Sequence, residues 1–408
     1  MRTSPRASKA LMAFLVFLGT LVFLMQVAAY AASTFTIAVI PDTQNYVNET
    51  NPQPGSLSVF KAETRYLADQ KDSMNLVFVT HVGDVVQHGD GTDGTAGNAS
   101  WGAGTEWERA RSAMDIISAS GLVFGMSPGN HDYDNYSDPA RGTLKGSVLW
   151  RRYFGSGSSY FAGKSWYGGA SDSLPYNPGL SSFQTFQAGG RNFLHISLEM
   201  EAGDPALTWA QGVIDSHKGY ATLITTHEYL SPPANEDNRG PMALPAQRIA
   251  ATFLKGSHGG WNDAQGVWDK LISKNDQIFM VICGHAWTPT IAGVSKAENM
   301  RIDQNVFGHP VYQILTDYQG NTLGLDGIPD ADPGGDGWLR FMEFNLEAGT
   351  IYFSTYSPTL NRYAGRNGQW TFNQHPGFSD FTLPIPYQVL NALVSLPATP
   401  TALPAPRP

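Results

Sequence analysis

Five apolar runs in this 408-residue chain each end on residues that can bind a metal ion or move a proton. Phe35–Ile40 leads into Pro41-Asp42-Thr43-Gln44, and Leu76–Val82 leads into Gly83-Asp84. Leu122–Ser127 is followed by Pro128-Gly129-Asn130-His131-Asp132. Thr222–Thr226 ends at His227-Glu228, and Ile278–Cys283 ends at Gly284-His285. A mixture of carboxylate, amide oxygen and imidazole suits Mn, Fe, Zn or Co better than the all-oxygen sites of Ca or Mg. Two Asp, one Asn and two His suffice for a pair of divalent ions sharing one carboxylate. Such a pair clamps a phosphate and acidifies a water to about neutral pKa, with no reactive side chain needed. Without a cation the same grouping is costly, because desolvated carboxylates repel one another.

These groups converge only if the runs are strands that end at one edge. From Phe35 onward, short apolar runs alternate with amphipathic stretches such as Leu57–Gln70 and Glu106–Ala119, which predicts an α/β core with strands buried on both faces. In such sheets the carboxyl ends of the strands open onto a common crevice. Phe193–Leu198 is a further strand of the same kind. After residue 310 the pattern changes to Val311–Tyr318, Trp338–Leu346 and Thr350–Tyr356, the last two joined through Glu347-Ala348-Gly349. These three are read as an antiparallel addition. Gly89–Gly104 reads as a loop, and residues 154–182 as a lid, a pocket wall or a surface loop pinned by its aromatic residues.

Composition narrows the class. With 42% hydrophobic and 15% charged residues the chain is globular, and a net charge of −9 without a basic run gives no electrostatic grip on nucleic acid or anionic lipid. Arg2, Arg6 and Lys9 precede an apolar run from Ala10 to about Ala29, so residues 1–31 read as an export signal. The expected location is therefore secreted, extracellular or at the cell surface. Retention of the run as a membrane anchor is the alternative, and cleavage leaves no stable membrane insertion. Residues 34–385 read as the catalytic domain and 386–408 as a Pro/Ala-rich flexible tail. The single cysteine, Cys283, excludes an intrachain disulfide and lies in an apolar run as a small core residue.

The ordered set Asp42-Thr43-Gln44, Gly83-Asp84, Gly129-Asn130-His131-Asp132, His227 and Gly284-His285 resembles the motifs of the calcineurin-like metallophosphoesterases. The resemblance runs over most of residues 35–360. Pro41-Asp42-Thr43-Gln44, Asp317-Tyr318-Gln319 and Gly335-Asp336-Gly337-Trp338-Leu339-Arg340 resemble a subgroup of often secreted bacterial members. The resemblance implies a four-layer α/β sandwich: two mixed β-sheets flanked by helices, with two divalent metal ions at one edge. It implies that Asp84 bridges both ions, that Asn130, His227 and His285 complete the second position, and that Asp42 anchors the first. It places His131 facing the scissile ester as a catalytic residue, with Asp132 orienting it or capping the next segment of chain. The implied substrate is a phosphomonoester or phosphodiester.

Two residues depart from that pattern. Gln44 stands where many members have histidine, either touching the metal or bonding a water on it. The fifth motif reads Gly284-His285-Ala286-Trp287 where the resembled pattern is Gly-His-x-His, so the second histidine is absent, and indole cannot ligate metal. The first position is therefore expected to bind weakly, or to take a harder ion such as Mn or Mg. Trp287 also supports a rival, a catalytically impaired secreted binding protein that keeps the fold; a metallohydrolase for acyl or lipid substrates is another. Taken singly, each Asp or Asn is an ordinary turn or cap residue. His81 reads as a satisfied core histidine, Asp326–Asp332 as a solvated turn, and Trp338 as core. Arg340 is the one candidate phosphate-binding arginine.

Overall fold

The computed structural model describes residues 33–48, 56–91, 105–134, 146, 148–231, 247–249, 261–286, 288–291, 294–296, 298–319, 335–364 and 379–393. The expectations for residues 1–31, Trp287 and Asp326–Asp332 lie outside the described residues, as does most of Gly89–Gly104.

Alternation inside the first strand, β1 (Thr34–Ile40), shows how the layers are built. Phe35, Ile37 and Val39 face a core shared with the other sheet, while Ala38 and Ile40 face a helical layer. β1 pairs in parallel with β2 (Leu76–His81), and β2 with β3 (Phe124–Met126). The second sheet has a parallel centre too. There β6 (Arg191–Ser197), β7 (Ala221–Thr225) and β8 (Ile278–Cys283) run side by side, with β5 (Ser182–Ala188) and β4 (Tyr167–Ala170) antiparallel at one edge. A separate ribbon pairs β9 (Thr288–Ile291) with β10 (Val294–Lys296). β11 (Glu298–Gln304) and β12 (Pro310–Thr316) finish the second sheet in the order β11-β12-β8-β7-β6-β5-β4. The first sheet is extended by antiparallel β13 (Leu339–Asn345) and β14 (Thr350–Ser357), with β15 (Arg362–Ala364) and β16 (Asp380–Pro384) both paired to β14.

Helices close the outer faces. The short α1 (Gln44–Val47) follows β1. α2 (Ser56–Asp69) and α3 (Glu106–Ala119) cover the first sheet. Trp107, Ala110, Ala113, Met114 and Ile117 form the buried stripe of α3 at helical spacing, and Thr105 caps it by accepting from Glu108 N at 3.3 Å. α4 (Val148–Phe154) joins the same layer. α5 (Asp204–Ser216) and α6 (Ala264–Lys270) cover the second sheet with Ala206, Leu207, Ala210, Val213, Ile214, Val267 and Trp268. The architecture is a four-layer α/β sandwich of two mixed sheets. The segment after α4 is pinned by its rings, with Phe161 at 5.2 Å from Phe124 and the Tyr160 hydroxyl donating to Asp115 at 2.7 Å.

Two expectations are corrected. The three strands after residue 310 are not one antiparallel addition. β12 runs parallel to β8 in the second sheet, whereas β13 and β14 extend the first. Local alternation cannot reveal this, because the partner of β12 lies about thirty residues upstream and its direction is set by the ribbon and by β11 between them. The first residues expected to belong to a flexible tail are folded, and those beyond 393 lie outside the described residues. Tyr387–Asn391 form α7, whose Val389, followed by Ala392, is buried in the core between the sheets, and Asn192 N donates to Ala392 O at 2.7 Å.

Candidate metal centre

The ends of β1, β2 and β3 meet those of β7, β8 and β12 across the gap between the sheets. Thr43 N donates to Asp84 O at 3.0 Å, and Gly284 N to His227 O at 3.0 Å. The glycines of the motifs make this approach possible. A Cβ on Gly129 would lie 2.1 Å from Asp84 Oδ1, and one on Gly284 would lie 2.2 Å from Asp42 Oδ1. Asp84 and His285 themselves adopt φ of 50° and 70°, a left-handed conformation uncommon for residues with a Cβ and frequent at functional sites.

The side chains converge tightly. Ligand atoms of Asp84, His227 and His285 all lie within 4.8 Å of one another. His227 Nε2 is 3.2 Å from Asp84 Oδ2, 3.1 Å from Asn130 Oδ1, 3.2 Å from His285 Nδ1 and 3.9 Å from Asp42 Oδ2. Its other nitrogen, Nδ1, lies 3.0 Å from Val82 O, which fixes the proton there and aims Nε2 into the cluster. His285 is backed by Glu228, whose Oε1 is 3.7 Å from Nε2. Asp42, Asp84, Asn130 and His227 are buried, while His131 and His285 are partly open to solvent.

Shifted protonation balances the charge in this cluster. Burial works to raise the Asp84 carboxyl, but the imidazoles of His227, His131 and His285 outweigh it and hold it well below the usual range. Burial would lower His227, yet Asp84 and Asp42 push it up to about 10. Asp42 is raised well above the ordinary value by burial and by Asp317 and Asp84. Burial and then His227 bring His285 down to about 3. A proton on His227 thus serves as the counter-charge for Asp84 while Asp42 holds a proton of its own, and a divalent ion bound here would take the place of both protons. Gln44 carries a further sign: its Nε2 donates to Asp84 Oδ2 at 3.1 Å, while its buried Oε1 has no hydrogen-bond partner. The donor set and the orphaned amide oxygen fit a divalent metal centre.

His131 sits at the mouth of the cluster. Its backbone N donates to Asp84 Oδ1 at 2.9 Å, its Nδ1 lies 2.9 Å from Gln87 O, and its Nε2 is 4.0 Å from Asp84 Oδ2. Asp132 neither orients this ring nor reaches the cluster. Its carboxylate accepts from Gly129 N at 2.8 Å, Val85 N at 2.9 Å and Val86 N at 3.1 Å, tying the loop after β2 to the loop after β3. Arg340 is likewise displaced from the expected role, because it is ion-paired to Glu298 with both side chains 1% exposed. An arginine neutralised inside the sheet has nothing to offer a phosphate in the crevice. His81 is the satisfied core histidine expected, held between Thr43 Oγ1 and Gly83 N, each at 3.1 Å. Trp338 is fully buried in a small cluster with Tyr318.

Sequence reasoning misses Asp317 and Gln319 as site residues. Both are buried, and Gln319 Nε2 donates to Asp42 Oδ2 at 3.2 Å and to Asp317 Oδ2 at 3.3 Å. The signal for them is the same as at the other five runs, a polar cluster after an apolar run. Reading β12 as antiparallel hides it, because that direction sends the strand's end away from the crevice.

A sequence profile of the calcineurin-like phosphoesterases matches residues 35–288, more than half of the chain. The chain belongs to this family. Among curated proteins it is 24% identical over 331 residues to the uncharacterized protein YvnB of Bacillus subtilis (strain 168), covering 80% of this chain and 20% of YvnB, so it spans about a fifth of that relative's length. Among solved structures, the purple acid phosphatase PPD1 of yellow lupin (Lupinus luteus) aligns with 91% of this chain and 57% of its own at 14% identity and a TM-score of 0.44. A dimetal phosphatase from Danio rerio aligns with 86% of this chain and 99% of its own at 12% identity and a TM-score of 0.39. Among the described residues of this calcineurin-like phosphoesterase, no helix is long and apolar enough to cross a membrane.

Proposed function

We propose that the chain is a divalent-metal-dependent phosphoesterase that hydrolyses phosphomonoesters or phosphodiesters. The observation that carries this reading is the convergence of Asp84, His227 and His285, with Asn130 and Asp42 alongside, beneath the partly open ring of His131. Asp84 would serve as a shared carboxylate, with Asn130, His227 and His285 holding one ion and Asp42 with Gln44 the other. Bound ions supply Lewis acidity for the phosphoryl oxygens and a nucleophile from water at neutral pH.

The protein's own groups do the rest. The Val82 carbonyl keeps the His227 proton on Nδ1, and Glu228 backs His285. Gln87 O holds the Nδ1 proton of His131, so a second proton on that ring resides on Nε2. From there it is donated to the departing ester oxygen, or it stabilises charge building on the phosphoryl group. Asp132 keeps His131 in place only through the backbone of its loop. The basic, then apolar, residues 1–31 support export of the protein, a reading that N-terminal sequencing of secreted material checks.

Hydrolysis of a generic aryl phosphate and a generic aryl phosphodiester with added Mn tests the activity. The expected result is turnover of at least one ester, reduced about 10²–10⁴-fold in His131→Ala with its metal content unchanged. No turnover of either ester with Mn, Mg, Zn or Fe would refute the reading and leave a binding protein built on the same fold.

A further inference from the structure

The fifth motif of this chain ends Gly284-His285-Ala286-Trp287, so the imidazole that would complete the first metal position is missing. The carboxamide of Gln319 stands within hydrogen-bonding distance of the residues of that position. It reaches Asp42 Oδ2 at 3.2 Å, its Oε1 accepts from Gln44 Nε2, and Asn45 Nδ2 lies 3.4 Å away. Gln44 in turn reaches Asp84 Oδ2 at 3.1 Å. Two buried amides therefore bridge the carboxylates of Asp42, Asp84 and Asp317. The Gln44 N–H₂ group, between Asp84 Oδ2 and Gln319 Oε1, occupies the place of a cation, and half a turn of the Gln44 amide presents its own oxygen there beside that of Gln319.

We propose that Gln319 supplies the ligand the fifth motif lacks, so that Asp42, Asp84, Gln44 and Gln319 form an all-oxygen position for a hard divalent cation such as Mn or Mg. The proposal rests on the metal-dependent reading of the cluster given above. It makes the two positions unlike: carboxylate and amide oxygens on one side, two imidazoles with Asn130 and Asp84 on the other. Hard ions favour the first set and Zn or Fe the second. Asp317 is a positioning residue. Its Oδ1 accepts from Gln319 N at 3.1 Å and its Oδ2 from Gln319 Nε2 at 3.3 Å, so it holds both the backbone and the amide of Gln319.

The scaffold beneath this residue is built to fix it. Gly335, at φ 71°, packs so closely that a Cβ there would lie 2.1 Å from Tyr318 O. Trp338 and Tyr318 share one buried cluster, and the Tyr318 hydroxyl donates to Glu298 Oε1 at 2.7 Å, the oxygen that Arg340 also pairs with. Asp317-Tyr318-Gln319 and Gly335–Arg340 are therefore one structural unit, and its output is the position of the Gln319 amide.

Ion counting tests this directly. The full chain, stripped with chelator, is titrated with Mn and separately with Zn, and bound ions are measured by elemental analysis and by the electron-spin signal of free Mn. Wild type is expected to hold two Mn per chain, with Zn filling the imidazole-bearing position first. Gln319→Leu is expected to hold one Mn, the other weakened about 10–100-fold, while Gln319→Glu keeps two because it retains the oxygen donor. Thermal melts of the stripped proteins verify that each variant is folded. Wild type that binds no ion removes the metal-dependent reading itself. Wild type with two ions and Gln319→Leu also with two, at unchanged affinity, overturns the Gln319 assignment alone. Gln319→Glu behaving like Gln319→Leu overturns it too, since packing and not the donor atom would then matter.

Discussion

Replacing Arg340 with Met separates two accounts of that residue, phosphate contact and buried counter-charge. The Arg340 and Glu298 side chains are each 1% exposed. Removing one partner of a buried ion pair typically costs about 3–5 kcal/mol, because the remaining charge is left in a poorly solvated place. Here Glu298 keeps three hydroxyl donors, Tyr318 at 2.7 Å, Thr355 at 3.0 Å and Ser379 at 2.6 Å, so the cost belongs at the lower end, about 3 kcal/mol. Combining Arg340→Met with Glu298→Gln removes both charges while keeping an acceptor for the Tyr318 hydroxyl, and most of the loss is expected to return. Urea unfolding of the metal-stripped proteins, followed by tryptophan fluorescence, gives these differences. An Arg340→Met protein as stable as wild type but impaired in binding inorganic phosphate would refute the buried-pair account and return Arg340 to the substrate.

Other consequences are equally open to measurement. Burial pushes the Glu199 carboxyl up to about 8 from an ordinary 4.5, so between those values the folded protein holds a proton that the unfolded chain has released. Stability therefore falls as pH rises through that window. Glu199→Gln is expected to be more stable than wild type by a margin growing from near zero at the acid end to on the order of a few kcal/mol at the alkaline end. A margin that stays flat or shrinks with pH, read from denaturant midpoints, contradicts this. Gly284→Ala is expected to lose about 1–3 kcal/mol and to bind metal more weakly, since its Cβ would lie 2.2 Å from Asp42 Oδ1. Gly157→Ala meets nothing within 4 Å and serves as the silent control. Equal effects of the two substitutions would show that crowding at Asp42 is not the cause.

Much of the fold is readable because its signals are local. A parallel strand buried on both faces announces itself as an unbroken apolar run, and the residue after it is delivered to the crevice whatever the sheet order. That logic finds Asp42, Asp84, Asn130, His227 and His285 together. It fails where direction and partnership are set by distant residues. β12 is parallel because it pairs with β8, so Asp317 and Gln319 reach the crevice, and nothing within residues 310–319 records that. Arg340 looks available in the sequence because its partner Glu298 opens β11, forty-two residues upstream, in the other sheet. Asp132 looks catalytic because it follows His131. In a 3₁₀ turn over Asn130–Asp132, neighbouring residues point different ways, and the carboxylate turns back to the amides of Gly129, Val85 and Val86. Types and order of the candidate ligands are written in the chain, whereas assignment between neighbours depends on backbone geometry.

Anomalous diffraction from crystals grown with Mn locates bound cations directly. A peak bounded by Asp84 Oδ2, Asn130 Oδ1, His227 Nε2 and His285 Nδ1 is the predicted result, with a second beside Asp42. Density that puts Mn elsewhere, or nowhere, while these side chains keep their present spacing would contradict the assignment of the cluster as a metal centre.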